Sequence, residues 1–159
     1  MKAVRVPMES LVQLILVQLE TAKKANLTVT GVSMRPMLHQ FKDSVILAPV
    51  DGKLKRGDIA LYLRDNGRYV LHRVIRLTPD GYLFCGDNQA ELEPVRQDQM
   101  IAVVTGYTKN GQQRSLDRAG YRLYSFAMVK LFCFRKHYIW LRRRLGRLHS
   151  WCRRLKNEQ

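Results

Sequence analysis

Three polar residues stand out in this chain because their types and their order suit nucleophilic catalysis. Ser33 lies between Gly31 and Pro36 in TGVSMRPML, His72 lies within the β-prone run YVLHRVIRL, and Asp87 follows a short strand-like run in CGDN. A serine hydroxyl attacks well only when a base takes its proton, and a histidine held by an acid can be that base. The pattern therefore predicts a Ser-His-acid hydrolase with Ser33, His72 and Asp87 in those roles.

The turn around Ser33 is expected to expose its hydroxyl. Gly31 tolerates backbone angles that other residues rarely adopt, and Pro36 fixes one torsion and lacks an N–H donor. The backbone amides between Gly31 and Ser33 would then face an oxyanion that forms during attack. Taken singly, Ser33 is typical of a turn or helix cap, and His72 of a half-buried strand. The order of the three groups is what favours catalysis.

The surrounding sequence predicts a mainly β fold that begins with a helix. Residues 8–24 place leucine, isoleucine and valine at helical spacing, which indicates an amphipathic helix. Turn sequences such as DNG and PDG separate several of the β-prone runs that follow, so the strands must be antiparallel. We expect a small curled antiparallel β domain. The runs cover residues 27–30, 44–50, 59–64, 69–77, 82–85 and 100–108.

Charge is unevenly distributed along the chain. The 159 residues are 46% apolar and 26% charged, which excludes wholesale disorder, and the formal net charge is +15. From Arg118 onward twelve Lys or Arg face one acid, Glu158, so the C-terminal region carries +11 of that charge. We predict an N-terminal helix at 1–26, a β catalytic domain at 27–108 and a basic, aromatic-rich helical extension at 109–159.

The basic extension predicts an anionic partner. Arginine clusters alternate with aromatic and aliphatic residues over 135–156, as in a helix that lies on a membrane. We expect peripheral contact with an anionic membrane through Arg142, Arg143, Arg144 and Arg147. Nucleic acid is the competing partner, but no helix-turn-helix or zinc module supports it.

No apolar run suggests secretion or a membrane span. The run at 123–134 contains 12 residues, against roughly 20 needed to cross a bilayer, and the N-terminus lacks a cleavage site. The expected location is cytoplasmic or peripheral to a membrane. The three cysteines lack metal-ligand spacing, so we expect no disulfide framework, metal or cofactor.

The motifs also resemble a known family, the type I signal peptidases and their relatives, which include the self-cleaving domains of SOS-type repressors. GVSMRPML is similar to the nucleophile box of that family, RGDIALY to its Gly-Asp strand box, LHRVI to its base box and GDN to its last box. Most bacterial members have lysine at the base position, and His72 is similar to the endoplasmic-reticulum, archaeal and spore-former type. The resemblance implies a serine endopeptidase that cleaves a leader or signal-like peptide.

The resemblance also implies how the substrate binds. An extended peptide would add as a strand beside the Ser33 segment, with Gly31, Met34 and Pro36 at the substrate site. The third catalytic member stays open, because Glu91 or Glu93 occupies a later acidic position where relatives tend to have paired aspartates.

Two further departures leave other functions open. Some relatives have serine where Gly31 stands, and signal peptidases normally carry a spanning anchor that this chain is expected to lack. One alternative is an inactive binding or regulatory module with the same fold. The other is a basic membrane or nucleic-acid adaptor. If His72 is the base, activity is expected to rise with pH through a pKa near 6 to 7, the ordinary range of histidine.

Overall fold

Eight antiparallel strands form one curled, half-barrel sheet in the computed structural model, which describes residues 8–139 and residue 141. The prediction of a mainly β fold is confirmed. Helix α1 spans Met8–Ala22, α2 spans Ala119–Lys130, and a further helical segment, α3, covers residues 132–139. The strands are β1 (Ala25–Thr28), β2 (Ser44–Ala48), β3 (Ile59–Leu63), β4 (Tyr69–Thr78), β5 (Gly81–Cys85), β6 (Glu93–Arg96), β7 (Met100–Lys109) and β8 (Gln112–Ser115).

The strand order in the sheet is β1-β2-β7-β3-β4-β5-β6, and β8 pairs with β7. Strand register shifts within the β2–β7, β3–β7 and β4–β5 pairs. Such bulges bend a strand and increase its twist, which explains why the sheet curls. Strand β1 lies at the end of this order and, within the described residues, pairs with β2 alone, so one of its edges has no described strand beside it.

Helix α1 covers one face of the sheet with only part of its apolar residues. Val12, Ile15 and Leu19 are buried at spacings of three and four residues, whereas Leu14 and Val17 are exposed. Ile15 and Leu19 pack in one core cluster with Met34 of the Ser33 segment. A second core cluster contains Tyr62, Val74, Tyr82, Phe84 and Val95. The helix thus helps to fix the segment that carries Ser33.

The sheet continues beyond the predicted domain boundary at residue 108. Strand β7 extends to Lys109 and forms a hairpin with β8. The turn between them contains Asn110 and Gly111, both with positive φ, as tight hairpin turns require. Ser125 and Val129 of α2 are buried, so part of the predicted extension belongs to the folded body. Arg142, Arg143, Arg144 and Arg147 lie outside the described residues.

Membrane-spanning helices are not found in the described part of the chain. Within residues 8–139 and 141, none of the helices combines the length and the apolar character that a bilayer span requires.

Candidate functional site

Ser33 and His72 line one cleft with a volume of about 260 Å³. One wall is the chain from Leu27 to Thr30, which is β1 and the residues that follow it. Another is the first half of β4, from Tyr69 to His72. The rest of the lining consists of Gly31, Met34, Leu61, Arg64 and Gln89. The fold therefore brings together two residues that are 39 positions apart in the sequence.

The GDN motif holds the turn that carries Ser33. The Asn88 backbone N–H donates to the Ser33 carbonyl at 2.7 Å, and its side-chain amide donates to the Val32 carbonyl at 3.4 Å. A Cβ on Gly86 would lie 2.8 Å from the Ser33 carbonyl oxygen and 3.0 Å from the Ser33 Cβ. Real Cβ atoms do not come that close to a backbone oxygen, so glycine at position 86 permits this contact.

The structure differs from two expectations about the Ser33 segment, in the backbone of Gly31 and in the place of Pro36. The φ of Gly31 lies outside the left-handed region, and a Cβ there would have no heavy atom within 4 Å, so the turn does not require glycine. Pro36 lies on a different cavity, together with Met37 and Lys109, and does not line the Ser33 cleft. Lys109 keeps this part of the turn in place, because its ammonium donates to the Met37 carbonyl at 2.9 Å.

The His72 ring is buried, with 3% exposure, and is tied to an acid through a tyrosine. The Tyr62 hydroxyl lies 3.1 Å from His72 Nδ1 and 2.9 Å from Glu93 Oε2. An ionised carboxylate can only accept, so Tyr62 donates to Glu93 and accepts from the Nδ1–H of His72. This direction of donation leaves the lone pair of the ring on Nε2.

The other His72 nitrogen is open to the cleft. Among the described residues Nε2 has no hydrogen-bond partner, and this nitrogen is not fully buried. It is therefore accessible from the cleft that Ser33 also lines. The described residues contain no hydrogen bond between the Ser33 hydroxyl and His72, and the Ser33 N–H is likewise unused there.

Charges around His72 favour a neutral imidazole beside an ionised acid. Burial, with a smaller contribution from the Arg64 charge, lowers the pKa of His72 to about 4 despite the opposing effect of Glu93. Burial acts against ionisation of Glu93, but hydrogen bonds from Arg64 and Tyr62 outweigh it and hold the pKa of Glu93 below its usual value. Burial and the Glu93 charge raise the pKa of Tyr62, which stays protonated.

Arg64 fixes the Glu93 carboxylate in position. Its Nε and one terminal nitrogen donate to the two carboxylate oxygens at 2.5 and 2.6 Å. A bidentate pair of this kind sets the plane of the carboxylate as well as its charge. Both side chains are partly exposed, at 32% and 24%. The network from Arg64 to His72 thus runs from the edge of the cleft to its interior.

Asp87 is directed elsewhere, which differs from its expected role beside His72. Its carboxylate accepts two hydrogen bonds from Arg73, both at 2.8 Å, and one from the Tyr124 hydroxyl at 3.0 Å. The side chains of Arg73 and Asp87 are fully buried. A buried arginine needs such a partner, and Asp87 supplies it. Of the other acids considered, Glu91 is exposed, and Glu93 is the one that reaches the His72 network.

Arg73 connects the motif segments to α2. One of its terminal nitrogens donates to the Gly57 carbonyl and to the Ser125 hydroxyl, both at 2.9 Å, and to the Tyr121 hydroxyl at 3.1 Å. The segments RGDIALY, LHRVI and GDN therefore meet at one buried guanidinium. Helix α2 closes this cluster.

Other groups near the cleft are less suited to chemistry. Burial raises the pKa of the Cys85 thiol to about 11, so this cysteine stays protonated and is a poor nucleophile. Within the described residues no three or more His, Cys, Asp and Glu side chains are arranged to hold a metal ion.

Sequence reasoning did not single out Tyr62 or Arg64, although one pattern points to Tyr62. Ala60 of β3 pairs directly with His72, and alternation along a strand places Tyr62 on the same face as Ala60. A tyrosine two positions from the residue opposite the base is a candidate partner for it. No known protein family, characterised protein or solved structure matches this chain.

Proposed function

We propose that this protein is a serine endopeptidase of the signal peptidase type, with Ser33 as nucleophile and His72 as general base. The observation that carries the proposal is that both residues line one cleft, where His72 is neutral and presents an accessible Nε2. The four motif segments support the assignment to this type of peptidase, since they occur in the order of the family and meet around Ser33 and Arg73.

In the proposed reaction the Ser33 oxygen attacks the carbonyl carbon of the peptide, and Nε2 of His72 takes the hydroxyl proton. The hydrogen bond between them forms when the peptide fills the cleft, as catalytic hydrogen bonds often tighten only with substrate bound. The imidazolium passes its proton to the leaving amine as the C–N bond breaks, which leaves an acyl group on Ser33. Water, activated by the same nitrogen, then hydrolyses the ester.

We propose Glu93, acting through Tyr62, as the acid that supports His72. The positive charge that His72 gains on proton uptake would lie 3.9 Å from Glu93 Oε2. Glu93 is already ionised at rest, so it stabilises the imidazolium without a further change in protonation. Tyr62 keeps the ring in the tautomer that frees Nε2. The unused Ser33 N–H is the proposed donor to the oxyanion.

The proposed substrate is an extended leader or signal-like peptide. The edge of β1 that no described strand covers offers backbone groups to an added strand, and the segment after β1 forms a wall of the cleft. Leu61, Leu71 and Met34 contribute apolar side chains to a small volume, which favours small residues next to the scissile bond.

Peptide binding without cleavage is the second candidate function. It is favoured by the lack of a hydrogen bond between Ser33 and His72 in the described structure. In that case the same cleft and the same free strand edge would bind a peptide, and the serine would have no chemical role.

A leader-peptide library digested with wild-type protein, Ser33→Ala and His72→Ala tests the proposal by mass spectrometry. Ser10→Ala is the matched control, since Ser10 is exposed on α1. We expect cleavage with wild type and the control, and loss of turnover with both site variants, with a nearly unchanged melting temperature for Ser33→Ala. Cleavage that persists with Ser33→Ala contradicts the proposal. Peptides that bind the wild type intact support the second candidate.

A further inference from the structure

The C-terminal helices expose an apolar surface that no part of the described chain covers. Six large side chains in α2, α3 and the residues next to them are between 49% and 75% exposed. We call this set the outer stripe: Leu123, Phe126, Leu131, Phe134, Tyr138 and Leu141. Scattered exposed apolar residues are ordinary, but a set repeated every three to five residues along one helical region forms a continuous patch.

The opposite side of the same helices is fixed to the sheet. Ser125, Val129 and Ile139 are buried, and Tyr124 donates to the buried Asp87. The Arg135 guanidinium donates to the Asp87 carbonyl at 3.2 Å. The helices cannot turn the outer stripe inward without breaking these contacts. The stripe therefore stays on the outer side of the body that residues 8–139 form, and a helix that is apolar on both sides needs a second environment.

The charge around the stripe indicates what that environment is. Residues 119–141 contain no acid, and the exposed basic residues there are Arg122, Lys130 and Lys136. Across the whole sequence from residue 118, twelve Lys or Arg face a single acid. Large apolar side chains bordered by cations are complementary to a surface that is apolar below and anionic above, which describes a phospholipid bilayer with acidic headgroups.

Other occupants suit these features less well. A second copy joined through the same patch would place the basic borders of both molecules against each other, without acids to pair them. A nucleic acid would use the cations but would leave the leucine and phenylalanine side chains without an apolar partner.

We propose that the outer stripe is a binding surface for anionic lipid bilayers. Its leucine, phenylalanine and tyrosine side chains enter the interface, and the surrounding cations pair with lipid phosphates. The surface depends on the α2–α3 docking and not on peptidase chemistry, so it stands or falls separately from the proposed function. It also differs from the contact expected through Arg142, Arg143, Arg144 and Arg147, because it is formed by other residues, those of α2, α3 and their neighbours that the structure describes.

Vesicle co-sedimentation of the full chain tests the proposal. The vesicles contain phosphatidylglycerol and phosphatidylcholine in equal parts, or phosphatidylcholine alone. The test variant is Leu123→Ser with Phe134→Ser, which changes side chains with 70% and 75% exposure. The control is Leu14→Ser with Val17→Ser, at 59% and 58% exposure on α1. Phe126→Ser repeats the test at another stripe position if the double variant melts at a lower temperature.

We expect the wild type to bind the anionic vesicles and to be released by salt. The stripe variant should partition at least about tenfold more weakly, because the transfer of two large apolar side chains is lost. The α1 control should bind within about twofold of wild type, since it leaves the stripe intact. Ser33→Ala should bind as wild type does, whatever its effect on cleavage.

Three results would overturn the proposal. The first is equal binding to both vesicle types, and the second is an equal loss of binding in the α1 control. The third is absence of vesicle binding together with a dimer that the stripe variant abolishes in light scattering, which would assign the surface to a second copy.

Discussion

His72 and Arg73 are consecutive residues of one strand, yet each has its own acid and its own environment. Side chains alternate across a sheet, so the two point to opposite faces. His72 connects through Tyr62 to Glu93, whose side chain is 24% exposed. Arg73 pairs with Asp87, and neither side chain is exposed at all. One strand thus supports an open network and a sealed one.

The difference shows how the two acids suit different tasks. A sealed ion pair cannot change its protonation without a large cost, because each charge depends on the other for the solvation it has lost. The Asp87 pair therefore suits a structural role, in which it ties α2 to the Ser33 turn. The Glu93 network reaches the cleft through Arg64 and His72, and Arg64 stabilises the Glu93 charge while His72 gains and loses a proton in the proposed reaction.

The largest effect is expected from Asp87→Asn, which leaves Arg73 without its counter-charge. Breaking a buried ion pair on one side costs about 3–5 kcal/mol of the free energy of unfolding. Urea unfolding followed by circular dichroism measures it. Asp65→Asn is the control, because Asp65 pairs with Arg96 at 79% exposure and should cost at most about 1 kcal/mol.

The outcome also separates the two acids. If Asp87→Asn abolished peptide cleavage while the urea midpoint stayed at the wild-type value, Asp87 would be catalytic, as the family resemblance implies, and the division of roles on β4 would fail.

Glu93→Gln is expected to show the reverse pattern. It removes the charge that stabilises the His72 imidazolium, so kcat should fall about 100-fold. The free energy of unfolding should change by about 1 kcal/mol or less, because the Arg64–Glu93 pair is partly exposed. Tyr62→Phe should lower kcat in the same direction, since it removes the hydroxyl between the two groups.

Kinetics on a cleaved library peptide measure both variants, with Glu91→Gln as the control, because Glu91 is exposed two positions earlier. Equal rates for Glu93→Gln and wild type would show that His72 works without an acid. A loss confined to KM would assign Glu93 to substrate binding.

The sequence could predict most strands but not the partner of the base. The runs with alternating or continuous apolar residues became β1 to β5 and β7, within a few residues of their expected bounds. The two unpredicted strands, β6 (EPVR) and β8 (QQRS), are short and polar, so hydrophobic periodicity has nothing to detect. Glu93 begins β6. Its approach to Tyr62 depends on the pairing of that strand with β5, which is a long-range property.

The sequence next to His72 contained an indication that Asp87 pairs with an arginine, but the order of the motifs favoured a pairing with His72. Arg73 stands in the apolar run YVLHRVIRL, and an arginine at a buried strand position needs an acid nearby. Motif order assigned Asp87 to the histidine, but strand alternation points these two neighbours to opposite faces. The direction of each side chain decides whether an acid pairs with His72 or with Arg73. The order of the motifs along the chain gives no information on that direction.

A smaller effect is expected from pH, and it acts on the open network. The pKa of His72 is lowered to about 4 in the folded protein against an ordinary 6.5, so the unfolded chain binds the proton more readily. The contribution of His72 to the free energy of unfolding is fully present above pH 6.5, and it is lost as the pH falls towards 4. Unfolding measured across this range should show the slope, and His72→Gln should reduce it.

The same shift revises the pH dependence of cleavage. A base with a pKa of about 4 stays unprotonated in mild acid, so kcat/KM should rise around pH 4 and be flat above about pH 6. This replaces the rise near 6 to 7 expected from an ordinary histidine. A rise centred above pH 7 would show that another group is the base.

The smallest effect is expected at Gly31, and its comparison with Gly86 tests which side of Ser33 is constrained. A Cβ at Gly31 would lie in open space, and the φ of Gly31 is outside the left-handed region. Gly31→Ala should therefore change the free energy of unfolding by less than about 0.5 kcal/mol. Gly86→Ala places a Cβ 2.8 Å from the Ser33 carbonyl oxygen, so the Ser33 turn must shift, at a cost of about 1–3 kcal/mol.

Cleavage should follow the same order, because a displaced turn moves the Ser33 hydroxyl relative to His72. Kinetics and urea unfolding of the two variants side by side make the measurement, and both substitutions add the same methyl group. If Gly31→Ala were the more harmful change, the open face of the Ser33 turn would be in contact with substrate or with a moving part of the cleft. The GDN turn would then not be the element that positions the nucleophile.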